Sequence, residues 1–231
     1  MPRIIICFLL LGVTGLTEAK DVLRLGYVEF RPLVVTGEND KPRGQVIDLI
    51  EKTLAHRYQI EWLNIPIGRI QWGFENVIID GFPMLLRSKQ REEYAEYFAD
   101  PLYTIQSALC SKPPLRFDPD AMVSVADQLN GKTVISVLNS ITFPFASDNR
   151  INHLKLPYDS YAERSYGLIA QNRADLVFVP VGSIFEEQVK QGKLECEKLG
   201  AKISVYFAFA KGNRFAAGVE ASFTTVPIRE F

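Results

Sequence analysis

The chain has 231 residues, of which 47% are apolar and 23% charged, and its formal net charge is −1. That length suits one large domain or two small lobes with a core, and the composition is that of an ordinary globular protein. Such a charge gives no electrostatic footing for nucleic acid or an anionic membrane surface, so neither is an expected partner.

The first residues stand apart. Arg3 precedes the apolar run IIICFLLLGVTGL, and small Ala19 precedes a polar start at Lys20-Asp21. This is the layout of an export signal spanning residues 1–19. The run is short for a bilayer span, which needs about 20 apolar residues. Cleavage after Ala19 removes one basic residue, Arg3, and one acidic residue, Glu18, so the net charge stays at −1. The protein is then expected to be periplasmic.

DVLRLGYV alternates apolar and polar residues and reads as a first strand, running into the loop EFRP. TGENDKPRG is turn chemistry. Val46, Ile47, Leu49, Ile50 and Leu54 recur at helical spacing. QIEWLNI predicts a second strand, IGRIQWGFEN a short helix and VIIDGFPML a buried parallel strand. A charged stretch, RSKQREEYAEYFAD, leads into the strand PLYTIQSALCS. SVADQLNG predicts a helix with a glycine stop, and KTVISVL a strand. DSYAERSYGLIAQNRA predicts a helix capped by Asp159 or Ser160. DLVFVPVG and KISVYFAFAKG are the last strands. Strands alternating with helices argue for α/β layers with parallel sheets.

After removal of the leader two cysteines remain, Cys110 and Cys196. In an oxidising compartment such a pair closes a disulfide; two separate buried thiols fit the sequence as well. His56 and His153 lie far apart, with no metal-ligand spacing around them. Neither a metal nor a cofactor is expected.

The order of short motifs is more specific. EFRPL, GQVIDLI, PIGR, DGFP, SKQR followed by FADPLY, LNGKTVISV, and PYDSYAE followed by NRADLVF occur in register from about Val22 to Gly212. In this order they resemble the extracytoplasmic solute-binding proteins of family 3, the polar amino-acid type. The resemblance implies a periplasmic-binding-protein type II fold: two α/β lobes, two hinge crossovers and a ligand cleft between the lobes. The crossovers would be YTIQSALCS and ISVYFAFAKG. Lobe 1 would hold residues 21–106 plus 207–231, and lobe 2 residues 107–206.

The resemblance also implies site residues. Arg91 matches the family arginine that grips a ligand carboxylate, a task suited to the planar donor fork of a guanidinium. From the residues alone it is one more helix charge among Glu92, Glu93 and Glu96, and such charges are usually solvated. Phe30 stands where the family stacks an aromatic ring on its ligand; an ordinary rim phenylalanine fits equally. Arg31 replaces a proline and adds a cation at the cleft mouth. Arg69, in the P-x-x-R turn, faces the cleft or ties its own loop. Ser140 and Thr142 match a loop whose hydroxyls and N–H groups meet the carboxylate, or they cap a helix.

Two positions depart from the family. Leu86 replaces a small hydroxyl residue five positions before the arginine, and Pro180 stands where an acidic residue receives the ligand's ammonium. An ammonium without a partner is costly to bury, so the pattern favours an acidic or aromatic ligand over an ordinary α-amino acid. The C-terminal segment is also short, which leaves lobe 1 less covered or marks a divergent tail.

The expected function is binding of a small polar solute, carboxylate or amino-acid-like, by a monomer that delivers it to the permease of an ABC-type transporter. One alternative is an enzyme on the same scaffold, a dehydratase or lyase, although no carboxylate pair or Ser/His/Asp set presents itself. Another is a ligand-sensing partner of a membrane receptor.

Overall fold

The computed structural model describes residues 20–230 except 32, 115–116, 119–121, 139–142, 158–159, 180–181, 225 and 228. The expected export signal, Ser140, Thr142, Asp159 and Pro180 lie outside the described residues.

The strands are β1 (Asp21–Tyr27), β2 (Val35–Thr36), β3 (Pro42–Arg43), β4 (Tyr58–Asn64), β5 (Gly81–Leu85) and β6 (Ala95–Tyr97), then β7 (Tyr103–Ser111), β8 (Thr133–Val137), β9 (Asn152–Leu156), β10 (Leu176–Val179), β11 (Glu195–Ala210) and β12 (Arg229–Glu230). The helices are α1 (Gln45–Leu54), α2 (Ile70–Glu75), α3 (Val125–Gln128), α4 (Tyr161–Ala170), α5 (Glu186–Lys190) and α6 (Ala216–Phe223). Local pattern explains most of them. In β1, Leu23, Leu25 and Tyr27 alternate inward and are fully buried. In α1 the five apolar residues picked out by spacing are all buried.

One strand begins later than its sequence suggests. Val77 adopts a φ of 54°, so Val77–Asp80 turns and β5 starts at Gly81. The run is apolar without being extended, and it is only partly buried: Ile79 is fully buried, whereas Val77 is 60% exposed. Asp80, 3% exposed, anchors the turn. Its Oδ2 accepts from the Arg24 backbone N–H at 2.9 Å and from Arg24 Nε at 3.2 Å, and its Oδ1 accepts from Asn213 Nδ2 at 3.2 Å. A carboxylate so buried needs that many partners.

The main sheet runs β4-β1-β5-β11-β7-β10-β8-β9, with β6 added to β11 and β12 to β7. It consists of two parallel blocks. β1 pairs in parallel with β4 and β5, and β8 with β9 and β10. The antiparallel pair β7–β11 joins them. The buried side chains follow the same division. Two apolar clusters draw on residues 23–105 and 205–223, the other two on residues 108–199, and none mixes the two sets. The architecture is therefore α/β and two-lobed, with β7 and β11 as the crossovers.

The β7–β11 ladder is interrupted once. Lys198 pairs with Ala108 and Lys202 with Gln106, so Leu199, Gly200 and Ala201 lie opposite Ser107 alone. Such a bulge bends a strand and loosens its pairing. The C-terminal segment covers more of the first block than its length suggests. Phe215, Val219 and Phe223 are buried in the cluster around β1, and the Phe223 ring lies 5.9 Å from that of Phe98.

Candidate functional site

The two parallel blocks present their carboxyl ends to one cleft. β1 and β4 finish side by side at the Tyr27–Asn64 pair, and β8 and β9 at the Val137–Leu156 pair. The chain leaving these strands lines a cleft of about 670 Å³. Val28, Glu29 and Arg31 follow β1; Asn64, Pro66, Ile67 and Gly68 end or follow β4; Leu138 follows β8; Pro157 follows β9; Ile184 lies beyond β10. The first turn of α4, with Ser160 before it, completes the wall. The crevice outside strand carboxyl ends is where α/β proteins bind ligands.

A tight loop builds the wall after β1. Phe30 and Val34 exchange backbone hydrogen bonds of 2.8 and 2.9 Å. Arg31 Nε donates to Glu29 Oε1 at 2.6 Å, and the Thr36 N–H donates to Glu29 Oε2 at 3.3 Å. Both carboxylate oxygens of Glu29 are thus engaged. The Phe30 side chain packs against the cluster around β1 and is not part of the lining.

The opposite wall depends on Tyr161. Its buried hydroxyl sits between the carbonyls of Ile135, at 3.1 Å, and Phe178, so the start of α4 is pinned to β8 and β10. Ser160 occupies the N-cap position, but its side chain does not cap the helix. It lines the cleft instead. Three residues further, Glu163 is exposed, lines the cleft and has no hydrogen-bond or ion-pair partner among the described residues.

Of the candidate ligand residues that are described, Phe30, Arg31, Arg69 and Arg91, Arg31 alone is in this lining. Arg69 follows Gly68 and is exposed; its guanidinium has no partner among the described residues. Arg91 sits in the turn after β5, half-buried. Its Nη1 donates to the Leu86 carbonyl at 3.0 Å, and the guanidinium lies beside the Tyr94 hydroxyl. Tyr97 donates to the same carbonyl at 3.1 Å. Burial pushes both phenols above their ordinary pKa, and the charge of Arg91 opposes that rise. Arg91 thus clasps the β5–β6 connection.

Sequence reasoning missed Glu29, Asn64, Ser160 and Glu163. Glu29 neighbours Phe30 in a loop already singled out. Glu163 carried no signal of its own, because an acidic residue in a first helical turn is ordinary. Leu86 and Pro180 favour an acidic or aromatic ligand; the lining brings two carboxylates for one guanidinium among the described residues, which suits the acidic alternative poorly and does not bear on the aromatic one.

The described residues contain no group of three or more metal-ligating side chains. None of their helices is long and apolar enough to cross a membrane. Cys110 and Cys196 form a disulfide between β7 and β11, with an S–S distance of 2.01 Å.

Two cores, two crossovers and a cleft at strand carboxyl ends define the two-lobed periplasmic-binding-protein type II fold. Solved structures of that class superpose on most of this chain. An ancestral arginine-binding protein bound to arginine has a TM-score of 0.69 at 20% identity, over 88% of this chain and 91% of that one. A periplasmic binding protein of high arginine specificity from Salmonella typhimurium has a TM-score of 0.68 at 15% identity, over 89% and 93%. A protein described as an L-cystine ABC transporter from Listeria monocytogenes has a TM-score of 0.67 at 17% identity, over 89% and 90%. At such identities the likeness is one of fold. No protein-family model matches the sequence, and no curated protein matches it.

Proposed function

We propose that the protein binds a small polar solute between its lobes and delivers it to an ABC-type transporter. The observation that carries this is the cleft itself, enclosed by the carboxyl ends of strands from two separately cored lobes. Their connection through β7 and β11, with a bulge in β11, suits hinge closure. Two of the similar structures named above are binding proteins by their descriptions, and the third is described as an ABC transporter. The lobes are residues 21–106 plus 207–231 and residues 107–206. Residues 1–19 direct export and leave a periplasmic monomer that meets a membrane permease. Arg31 and Arg69 offer donors from lobe 1, with Phe30 behind them. Arg91 joins them when its turn releases Leu86, and Ser140 and Thr142 act from lobe 2. An enzymatic reading draws less support, since no histidine or cysteine is among the described lining residues.

Mass spectrometry of small molecules that co-purify with the protein tests the proposal. A stoichiometric polar solute released on denaturation is expected. Release of nothing, together with no thermal shift across a broad metabolite panel, would sink it.

A further inference from the structure

We infer, on the binding function just proposed, that Glu163 decides which solute the cleft accepts by receiving a cationic group on the solute's side chain, an ammonium or guanidinium. Three charged residues line the cleft among those described: Glu29, Arg31 and Glu163. Glu29 and Arg31 already neutralise each other at 2.6 Å, and the second oxygen of Glu29 takes the Thr36 N–H. Glu163 faces the same space from the other lobe with no partner among the described residues. Arg31 cannot serve both carboxylates; if it turned to Glu163, Glu29 would be left over. Of the other arginines considered for the site, Arg69 is exposed after Gly68 and Arg91 is held on the Leu86 carbonyl, and neither is in the lining.

In the open cleft, water solvates the surplus carboxylate. Closure removes that water, and an ionised carboxylate without a partner is expensive to desolvate. A cationic group on the solute offsets that cost. A neutral group leaves the cost in place, and an acidic group adds repulsion. Closure therefore selects for a positively charged end, whatever the rest of the solute contributes elsewhere in the cleft.

Calorimetric titration at low ionic strength, with L-arginine, L-lysine, L-glutamine and L-glutamate as probes, tests this on the wild type and Glu163→Gln. Residue 163 is exposed, so the variant keeps the fold; its melting temperature checks this. The wild type is expected to bind arginine or lysine at least about tenfold more tightly than glutamine or glutamate. Glu163→Gln is expected to lose at least about tenfold on the cationic probes alone. Equal or tighter binding of glutamate or glutamine, unchanged cation affinity in Glu163→Gln, or no binding of any probe would overturn the role of Glu163. Each of these leaves solute binding itself to be judged by the co-purified molecules.

Discussion

Cys110 on β7 stands directly opposite Cys196 on β11, and a disulfide joins them across the ladder. The bond lies on the lobe 2 side of the bulge at Leu199–Ala201. It fixes the register of the two crossovers there and leaves the bulge as the weakest part of the connection. It also closes a long loop, with a sequence separation of 86. Restricting the unfolded chain over such a loop is worth up to about 4–5 kcal/mol. Cys110→Ser with Cys196→Ser is therefore expected to lower the unfolding free energy by several kcal/mol, read by denaturant titration. Reduction of the wild type should reproduce the change, and a midpoint that ignores both would refute it.

The fold was legible in the sequence where periodicity and burial agree, as in β1 and α1. It was illegible where an apolar run turns instead of extending, as at Val77–Asp80, and where a strand carries mixed side chains, as in β9, whose NHLKL is partly exposed. The candidate site was legible only through its loops. Motif order pointed to the turn after β1, but the side chains facing the cleft are set by which way each loop closes. The Phe30–Val34 bonds turn Phe30 inward and leave Glu29 and Arg31 outward. No local pattern distinguishes Glu163 from any other helix-start acid, since its position in the cleft is created by the packing of Tyr161.

Arg91 gives a second expectation. Its guanidinium holds the Leu86 carbonyl and meets Tyr94, so it contributes to the free protein whether or not it reaches a solute. Hydrogen bonds from charged donors are worth about 1.5–3 kcal/mol. Arg91→Ala should cost about that much in unfolding free energy without ligand. A variant as stable as the wild type that has lost solute affinity would make Arg91 a ligand group and not a clasp.

Gly81 offers a sharper packing test. A Cβ there would lie 2.9 Å from Phe207 Cε2, 3.0 Å from Phe209 Cε1 and 3.2 Å from Leu25 Cδ2. Those rings form the stacked pair at the centre of lobe 1, 4.8 Å apart. Relief requires moving β11 relative to β5. Gly81→Ala should destabilise by about 1–3 kcal/mol, the usual range for overpacking. Gly200→Ala, where a Cβ meets nothing within 4 Å, is the control and should leave the melting temperature in place.

The last expectation concerns acid. Arg150 donates to Asp148 through Nε at 3.0 Å and Nη2 at 2.7 Å, and its backbone N–H donates at 3.0 Å. These bonds favour the ionised form and lower the Asp148 pKa to about 2, with the Arg150 side chain as the largest cause. The folded value lies below the unfolded one, near 3.9 for a free aspartate. The contribution is therefore fully present above pH ~4 and fades as the pH falls towards 2. Because the pair is solvent-exposed, its effect on global stability is small, so the titration itself is the better readout. Carboxyl-carbon NMR should find the Asp148 midpoint near 2 in the wild type, and Arg150→Ala should raise it towards the ordinary value. A midpoint near 4 in the wild type would mean that the Arg150–Asp148 geometry does not persist in solution.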